Sequence, residues 1–285
     1  MRRLITAFAV MFTVIIGVAF AATSDSSLAR TQDNSNKNSA QKPPAAPKGD
    51  KNSKNPTAEQ IIETSIFVYG TRPLLEQIRR NGVERGRVCK PTCEMPGKTE
   101  EATYERRFVR GEKSDKDKVR VDQKMPTLEY SLVYGGGRLW GLINGSTFTP
   151  REDAANMFLA QHRHSIDNML RYKENGATVS LVGKDKQKGL DLYILDVVRP
   201  DKQKSRYFIS ARTFHVLWLE YEENAAGGSP VKFRRSFHDY RYVQGTLVPY
   251  KTVLLQDGSQ TQETKILTVT YGIKLDDSLF KSPEA

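Results

Sequence analysis

Apolar side chains alternate with polar ones along most of the second half of the chain, and a period of two predicts β-strands. Short polar turns separate most of these segments, which is typical of an antiparallel meander. One strand is expected to stop at the three glycines 135–137, and a change of phase near His238 and Asp239 predicts a β-bulge. The alternation occurs in about ten segments, residues 104–108, 119–121, 128–134, 139–143, 190–197, 207–209, 214–221, 231–242, 247–255 and 267–273.

A period of 3.6 residues predicts two helices before the first strand. Thr57 and Gln60 have the spacing of a capping box, so the first helix should begin just after Thr57. Gly70 interrupts this helix, and Pro73 starts a shorter one that should end at residues 81–82. The apolar face of the first helix consists of Ile61, Ile62, Ser65, Ile66 and Tyr69.

A longer helix is predicted inside the run of strands, over residues 151–172. Thr149 and Glu152 have capping-box spacing, and Pro150 would occupy the first helical position. A single long antiparallel sheet with few helices must curl or cover its apolar face with those helices. We therefore predict a mainly β fold with some α (α+β). The apolar stripe of this helix consists of Met157, Phe158, Ile166, Met169 and Leu170.

The first 56 residues differ in character from the rest. Arg2 and Arg3 precede an uncharged apolar run at residues 4–20, and Ala19 and Ala21 fit a signal peptidase site, so residues 1–21 are predicted to be a cleaved signal peptide. The alternative is an uncleaved membrane anchor, because the run approaches spanning length. Residues 22–56 are polar and predict a disordered linker, which leaves residues 57–285 as one domain.

Composition narrows the possible classes of function. The chain has 285 residues, of which 38% are hydrophobic, and a formal charge of +11. It lacks the repeated apolar runs of a polytopic membrane protein, and its two cysteines are too few for a zinc site with four cysteine ligands. The basic residues are dispersed over turns and edges, where they discourage aggregation or attract an anionic membrane surface. Export argues against nucleic acid as a partner.

The two cysteines, Cys89 and Cys93, are close in sequence. In an exported chain this spacing favours a structural disulfide over free or metal-bound thiols. A redox motif would need two intervening residues and a helix start, which are absent here. A disulfide that closes such a short loop would restrain local geometry and add little global stability.

No catalytic motif is visible. The chain has no Gly-x-Ser-x-Gly elbow. His162 and His164 are two residues apart, so on a helix they point in different directions and cannot bind one metal ion together. His215 and His238 lie in predicted strands, where a structural role is the more common one. The sequence therefore predicts a protein that is not an enzyme and has no metal or cofactor.

Two late segments resemble a known family. Residues 240–249 contain a Gly-x-x-x-Pro motif from Gly245 to Pro249, and residues 271–283 contain an Asp-Asp-x-x-Phe-x-x-Pro motif that begins at Asp276. Together with the leading helix pair and the inserted helix, they make the chain similar to the LolA/LolB-like group of bacterial outer-membrane lipoprotein-sorting proteins.

This resemblance covers about residues 57–285. It implies a periplasmic protein whose strongly curved antiparallel sheet forms an incomplete β-barrel, covered by a few helices around an apolar cavity for acyl chains. It also implies binding without catalysis. The same group includes periplasmic sensors that regulate stress sigma factors, so the fold allows either role. The chain departs from the carriers in its linker, its cysteine loop and its basic turns, and no position matches their lid-closing arginine.

The predicted function is that of an exported carrier for the acyl chains of a lipid or lipoprotein, and the alternative is a non-catalytic sensor or protein-interaction domain. Large apolar residues occur on both faces of segment 214–221, which fits either a pocket or a packed core. The sequence leaves the ligand and the oligomeric state open. The candidate cavity residues are Met157, Phe158, Leu217 and Trp218.

Overall fold

The computed structural model describes residues 55–94, 100–224 and 228–282. The predicted signal peptide and nearly all of the predicted linker lie outside the described residues, so cleavage and the linker remain predictions. Across the described ranges, no helix combines the length and the apolar character that crossing a membrane would require.

Two helices come first, then six strands, two more helices and seven further strands, among the described residues. Two short 3-10 helices, Ser114–Lys116 and Asp277–Phe280, lie in connections. The helices are α1 (Ala58–Tyr69), α2 (Arg72–Ile78), α3 (Glu152–Arg163) and α4 (Ile166–Leu170). The strands are β1 (Asn81–Lys90), β2 (Glu100–Val109), β3 (Lys118–Lys124), β4 (Glu129–Gly135), β5 (Arg138–Ile143), β6 (Ser146–Phe148), β7 (Thr178–Gln187), β8 (Leu190–Val198), β9 (Lys204–Ser210), β10 (Val216–Asn224), β11 (Pro230–Val243), β12 (Thr246–Gln256) and β13 (Ser259–Tyr271).

The described strands form one open antiparallel sheet in the order β6-β5-β4-β3-β2-β1-β13-β12-β11-β10-β9-β8-β7. Strands that follow one another in the chain pair with each other, except β6 and β7, and the first and last strands pair in the middle of the sheet. β6 and β7 remain as the two edges, so the sheet does not close into a barrel. The predicted fold class, a mainly β fold with a few helices on an open antiparallel sheet, is confirmed.

The predictions for α1 are also confirmed. The side chain of Thr57 accepts a hydrogen bond from the backbone N–H of Gln60 at 3.2 Å, and the Gln60 side chain accepts one from the backbone N–H of Thr57 at 2.9 Å. Gly70 ends the helix with φ of 135°, a conformation that glycine adopts without a Cβ clash. The predicted apolar face is buried, so the local pattern alone determined this helix.

The single helix predicted over residues 151–172 is wrong, because the segment breaks into α3 and α4. His164 leaves the helical region with ψ of 78°, and the extended Ser165 becomes a new N-cap that accepts a hydrogen bond from the backbone of Asn168. The predicted capping box at Thr149 is absent, since Arg151 is the N-cap and makes no side-chain capping bond. The break allows the buried His164 to contact the sheet.

Three strands, β1, β6 and β7, were not predicted. The end of α2 at Ile78 and the start of β1 at Asn81 correct the expectation that the second helix continues to residues 81–82. Glycines obscure the strand pattern of β1, because they carry no side chain to alternate. Gly82 is required by close packing: a Cβ there would lie 2.9 Å from the Tyr271 ring and 3.1 Å from the Phe108 ring.

Two changes of phase occur within the strands. In β11 the change falls at Asp239, which has φ of 52°, but its register with β12 is the same on both sides, so the predicted bulge with an inserted residue is absent. In β10 the register with β9 shifts between Val216 and Trp218, which makes Leu217 the extra residue. This unpredicted shift allows Val216 and Leu219 to share one core cluster.

The helices cover one face of the sheet, which we call the inner face, and two clusters of buried side chains lie on it. The first core cluster joins α1 and α4 to β8–β12 and contains Ile61, Ile62, Ile66, Tyr69, Met169, Leu195, Tyr207, Leu219, Tyr221, Phe237 and Leu247, among others. The second core cluster consists of Phe108, Val119, Tyr134, Val248, Val269 and Tyr271.

Candidate functional site

α3 covers part of the second core cluster with few buried side chains. Ala160 is its one fully buried residue, while Phe158 and Leu159 are half-buried and pack against the second core cluster. Met157 is exposed, with 37% of its surface accessible. The apolar contact of α3 with the second core cluster is therefore made by Phe158 and Leu159, while its C-terminal end is held by polar contacts such as that of Arg163 with Glu223 at 2.9 Å.

The four candidate cavity residues occupy different places. Met157 and Phe158 are neighbours on α3, and Leu217 is the half-buried extra residue of β10. Trp218 lies on the outer face, because it alternates with Leu219, which is part of the first core cluster. Its indole stacks on the Phe208 ring at 4.6 Å between centroids. The structure therefore brings Met157 and Phe158 together and places Trp218 on the other side of the sheet.

The inner face beneath α1 is filled by side chains. Ile61, Ile62 and Tyr69 are fully buried there. The Tyr69 and Tyr240 hydroxyls lie 2.9 Å apart, and the Tyr240 hydroxyl donates to the backbone oxygen of Val216 at 2.5 Å. Burial raises the pKa of Tyr69 above its usual range, so this hydroxyl stays protonated. The contacts favour a packed core in this half of the inner face.

Surface depressions elsewhere are charged. One of ≈ 500 Å³ beside the β7–β8 hairpin is lined by Lys184, Asp185, Lys186 and Asp191, with Leu192, Tyr193 and Ala211. A second, of ≈ 280 Å³, is lined by Arg87, Asp239, Arg241, Tyr250, Lys251, Lys265, Ile266 and Leu267. Their linings are more polar than an acyl chain requires.

A group of arginines occupies the inner face next to the second core cluster. Arg79 follows α2, and Arg110 follows β2. Both contact the same carboxylate oxygen of Asp167 on α4, at 3.1 Å and 2.6 Å. Although burial opposes ionisation, the charges of Arg110, Arg79 and Arg106 hold the pKa of Asp167 well below its usual range. The carboxylate is therefore ionised and links α4 to both neighbours.

Arg106 on β2 is near enough for its charge to lower the pKa of Asp167 and to add to the effect of burial in lowering that of Arg235 on β11, so these two complete the group, which we call the arginine cluster (Arg79, Arg106, Arg110 and Arg235). The expectation that the basic residues are dispersed over turns and edges is wrong for this group, because the side chains of Arg79 and Arg110 are largely buried and Arg235 lies inside β11. The one local signal is Arg106, a charged residue that lies in phase with the buried Tyr104 and Phe108 on β2. The other three arginines come from separate elements, so no local pattern could have grouped them.

The histidines and cysteines have structural contacts. His164 is buried, with Nδ1 at 2.7 Å from the Ser205 hydroxyl and Nε2 at 3.2 Å from a Glu223 oxygen. Burial lowers the pKa of His164 despite the opposing effect of Glu223. Cys89 and Cys93 are joined by a disulfide with a Cα–Cα distance of 5.1 Å. Within the described ranges, no group of three or more His, Cys, Asp or Glu side chains is arranged to hold a metal ion.

Neither a family model nor a curated protein matches the chain. Solved structures do match. A LolA superfamily protein from Nitrosomonas europaea has a TM-score of 0.54 at 12% identity, over 81% of this chain and 100% of that one. A DUF1329 family protein from Desulfovibrio piger has a TM-score of 0.55 at 11% identity, over 80% of this chain and 98% of that one.

A proposed outer membrane lipoprotein-sorting protein domain from Vibrio parahaemolyticus has a TM-score of 0.51 at 12% identity, over 79% of this chain and 95% of that one. At such identities the likeness is one of fold. The resemblance suggested by the motifs at 240–249 and 271–283 is confirmed at that level, and the chain has a LolA-like fold.

Proposed function

We propose that this protein is an exported, non-catalytic binding protein of the cell envelope that holds an acyl chain of a lipid or lipoprotein beneath α3. The similar structures include a LolA superfamily protein and a proposed lipoprotein-sorting domain, which supports a carrier. The basic surface suits transient contact with an anionic membrane. Residues 1–21 would direct the chain to the periplasm, either cleaved or retained as an anchor.

The observation that carries this proposal is the contrast between the two halves of the inner face. Beneath α1 the core is closed by fully buried side chains such as Ile61 and Tyr69. Beneath α3, half-buried Phe158 and Leu159 shield the second core cluster. A chain that replaced these two side chains would contact Phe108 and Tyr271, which belong to that cluster.

Calorimetric titration of delipidated protein with a single-chain amphiphile tests the proposal. We expect binding at about micromolar concentration, or about −8 kcal/mol. Calorimetry is preferred to fluorescence because both tryptophans lie on the outer face. Tyr134 belongs to the second core cluster, so its neighbour Val133 points to the outer face. Trp140 pairs with Val133 across the strands and therefore shares that face. If titration with fatty acid, phospholipid and acylated peptide gives no heat of binding, the proposal is overturned.

Two variants of α3 locate the site. Phe158→Asp should abolish binding, since it places a carboxylate against the second core cluster. Asn156→Asp adds the same charge at an exposed position of the same helix and should leave binding unchanged. Leu217→Asp tests the half-buried candidate of β10, and it should weaken binding as Phe158→Asp does if Leu217 contacts the chain. Equal loss in both α3 variants would show that charge on the helix, and not the apolar contact, determines binding.

The second candidate function is a sensor or protein-interaction domain. The specific observation in its favour is the closed core beneath α1, where Tyr69, Tyr207 and Leu219 leave no accessible surface. A domain of this kind would bind no amphiphile and would unfold at the same temperature with and without one. Thermal unfolding in the presence of oleate therefore separates the two functions, because a ligand that binds the folded state raises its stability.

A further inference from the structure

The arginine cluster contains more positive charge than the carboxylates near it neutralise. Arg79 and Arg110 share one carboxylate oxygen of Asp167. Arg106 and Arg235 form no ion pair with a carboxylate among the described residues. Glu84, on the same face of β1, accepts a hydrogen bond from the Tyr104 hydroxyl at 2.7 Å. Four guanidinium groups therefore face two carboxylates: Asp167 contacts Arg79 and Arg110, and Glu84 is the cross-strand neighbour of Arg106 without forming an ion pair with it.

Several donors in the arginine cluster also lack acceptors. Only 10% of the Arg79 side chain is accessible, yet its Nε and Nη1 groups have no hydrogen-bond acceptor among the described residues. Buried donors without acceptors destabilise a fold, and buried polar groups are usually satisfied by a protein group or a bound molecule. These N–H groups are suited to an anion, because a guanidinium binds phosphate or carboxylate oxygens through two parallel hydrogen bonds.

The arginine cluster is continuous with the second core cluster. The Arg106 guanidinium carbon lies 4.7 Å from the centroid of the Phe108 ring. The Arg79 guanidinium carbon lies 5.4 Å from the centroid of the Tyr271 ring. Both rings belong to the second core cluster, so the two guanidinium groups border its apolar surface. A ligand that matches this arrangement has an anionic group at one end and a hydrocarbon chain at the other.

α3 connects the two surfaces. Nη1 of Arg235 donates to the backbone oxygens of Gln161 at 3.1 Å and of His164 at 3.4 Å, at the C-terminal end of α3. Backbone oxygens at a helix end carry a partial negative charge, and they hold this cation without neutralising it. The same helix shields the second core cluster through Phe158. Displacement of α3 would therefore free Arg235 and uncover the apolar surface together.

We propose that the arginine cluster binds the anionic group, a phosphate or carboxylate, of an amphiphile whose acyl chain lies on the second core cluster beneath α3. This inference rests on the proposed function and adds selectivity for charge to it. The arginines act as hydrogen-bond donors to the anionic group, while Phe108 and Tyr271 contact the first carbons of the chain.

Calorimetry with three probes tests the selectivity. Oleoyl lysophosphatidate and mono-oleoylglycerol carry the same chain, and only the first has a phosphate; inorganic phosphate has no chain. We expect lysophosphatidate to bind at least about tenfold more tightly than mono-oleoylglycerol, the effect of one hydrogen bond to a charged group. Equal affinity for the two lipids would overturn the inference and leave the proposed function standing. Absence of binding by both lipids would overturn the proposed function itself.

The variant Arg106→Gln tests the site, because Arg106 is half-buried and forms no ion pair whose loss would unfold the chain. It should weaken lysophosphatidate binding by about tenfold and mono-oleoylglycerol binding by much less, so that the preference falls. The control Arg85→Gln removes the same charge from the outer face of β1, where 60% of the side chain is accessible, and should preserve the preference. If Arg106→Gln does not fold, Arg106→Lys keeps the charge but loses the paired donors and should still weaken the preference.

Three results would contradict the arginine assignment. An unchanged preference in Arg106→Gln would show that Arg106 does not select the ligand, and an equal loss in Arg85→Gln would show that long-range charge selects it. Binding of inorganic phosphate as tightly as lysophosphatidate would show an anion site unconnected with the apolar surface. A phosphate affinity far below that of the lipid supports the combined site.

Discussion

Replacing Asp167 by asparagine removes the carboxylate that links α4 to two neighbouring elements. Asp167 Oδ1 lies 3.1 Å from Arg79 Nη2 and 2.6 Å from Arg110 Nη2. The accessible fraction of the two arginine side chains is 10% and 11%, so neither can regain full hydration in the variant. Asparagine has nearly the same shape, which confines the perturbation to charge. The variant therefore leaves two buried cations without their shared counter-ion.

The expected loss in the free energy of unfolding is about 3 kcal/mol. Breaking a buried ion pair by removing one partner costs about 3–5 kcal/mol, because the remaining charge is buried and uncompensated. We take the lower end of this range, since 29% of the Asp167 side chain is accessible and water screens part of the interaction. The asparagine oxygen still accepts a hydrogen bond, which also limits the loss.

The pH dependence has a definite sign. The pKa of Asp167 is lowered in the folded state, although burial alone would raise it, because Arg110 and Arg79 favour the carboxylate. A lowered folded-state pKa contributes stability that is present above the unfolded value of about 4 and is lost as pH falls through the folded value. Acid should therefore destabilise the natural protein more than Asp167→Asn, and the difference between the two should begin to shrink below about pH 4.

Urea unfolding at several pH values measures both effects. Asp277→Asn is the matched control, because Asp277 pairs with Lys118 at 2.9 Å in an exposed position and should change little. A loss at Asp167 below about 1 kcal/mol at pH 7 would refute the reasoning, since surface pairs alone contribute that much. A loss that does not shrink with acid would show that the effect is not one of charge.

Three further predictions concern other parts of the chain. Thr57→Ala should destabilise the protein by about 1 kcal/mol in urea unfolding, because it removes the side-chain acceptor of the Gln60 backbone N–H at the start of α1. Replacing Cys89 and Cys93 by serine should lower the free energy of unfolding by at most about 2 kcal/mol, since the disulfide closes a very short loop. Thiol labelling of the exported protein without reductant should find neither cysteine free. The mature protein should begin at Ala22, as measured by intact mass.

Each of these predictions has an outcome that contradicts it. An unchanged stability in Thr57→Ala would show that the α1 cap is satisfied by solvent. Labelling of both cysteines without reductant would show that the disulfide does not form in the exported protein. Retention of Met1 in the envelope fraction would support an uncleaved anchor in place of a cleaved signal peptide.

The sequence alone determined the elements whose signals are local. The capping box at Thr57 and the apolar face of α1 involve residues within a few positions of one another, so they were read correctly. Strands with clear alternation, such as β2 and β4, were also identified, and their number with few helices indicated an open antiparallel sheet. The motifs at 240–249 and 271–283 pointed to the fold that the solved structures confirm.

Only the tertiary structure decided the features that depend on distant residues. β1 carries Gly82 where the rings of Phe108 and Tyr271 pack and Gly86 where the ring of Tyr104 packs, so it has little pattern of its own, and its place comes from pairing with β13 at the other end of the chain. The predicted long helix breaks at His164 because that side chain bonds to the sheet.

The arginine cluster shows the same dependence. Its members come from the end of α2, from β2 and the residue after it, and from β11, and two of them, Arg79 and Arg110, share a carboxylate of α4. A local pattern reports which face of an element is apolar, because neighbours a few residues apart share that face. It cannot report which charges from different elements meet on that face, since sheet register and helix docking bring them together.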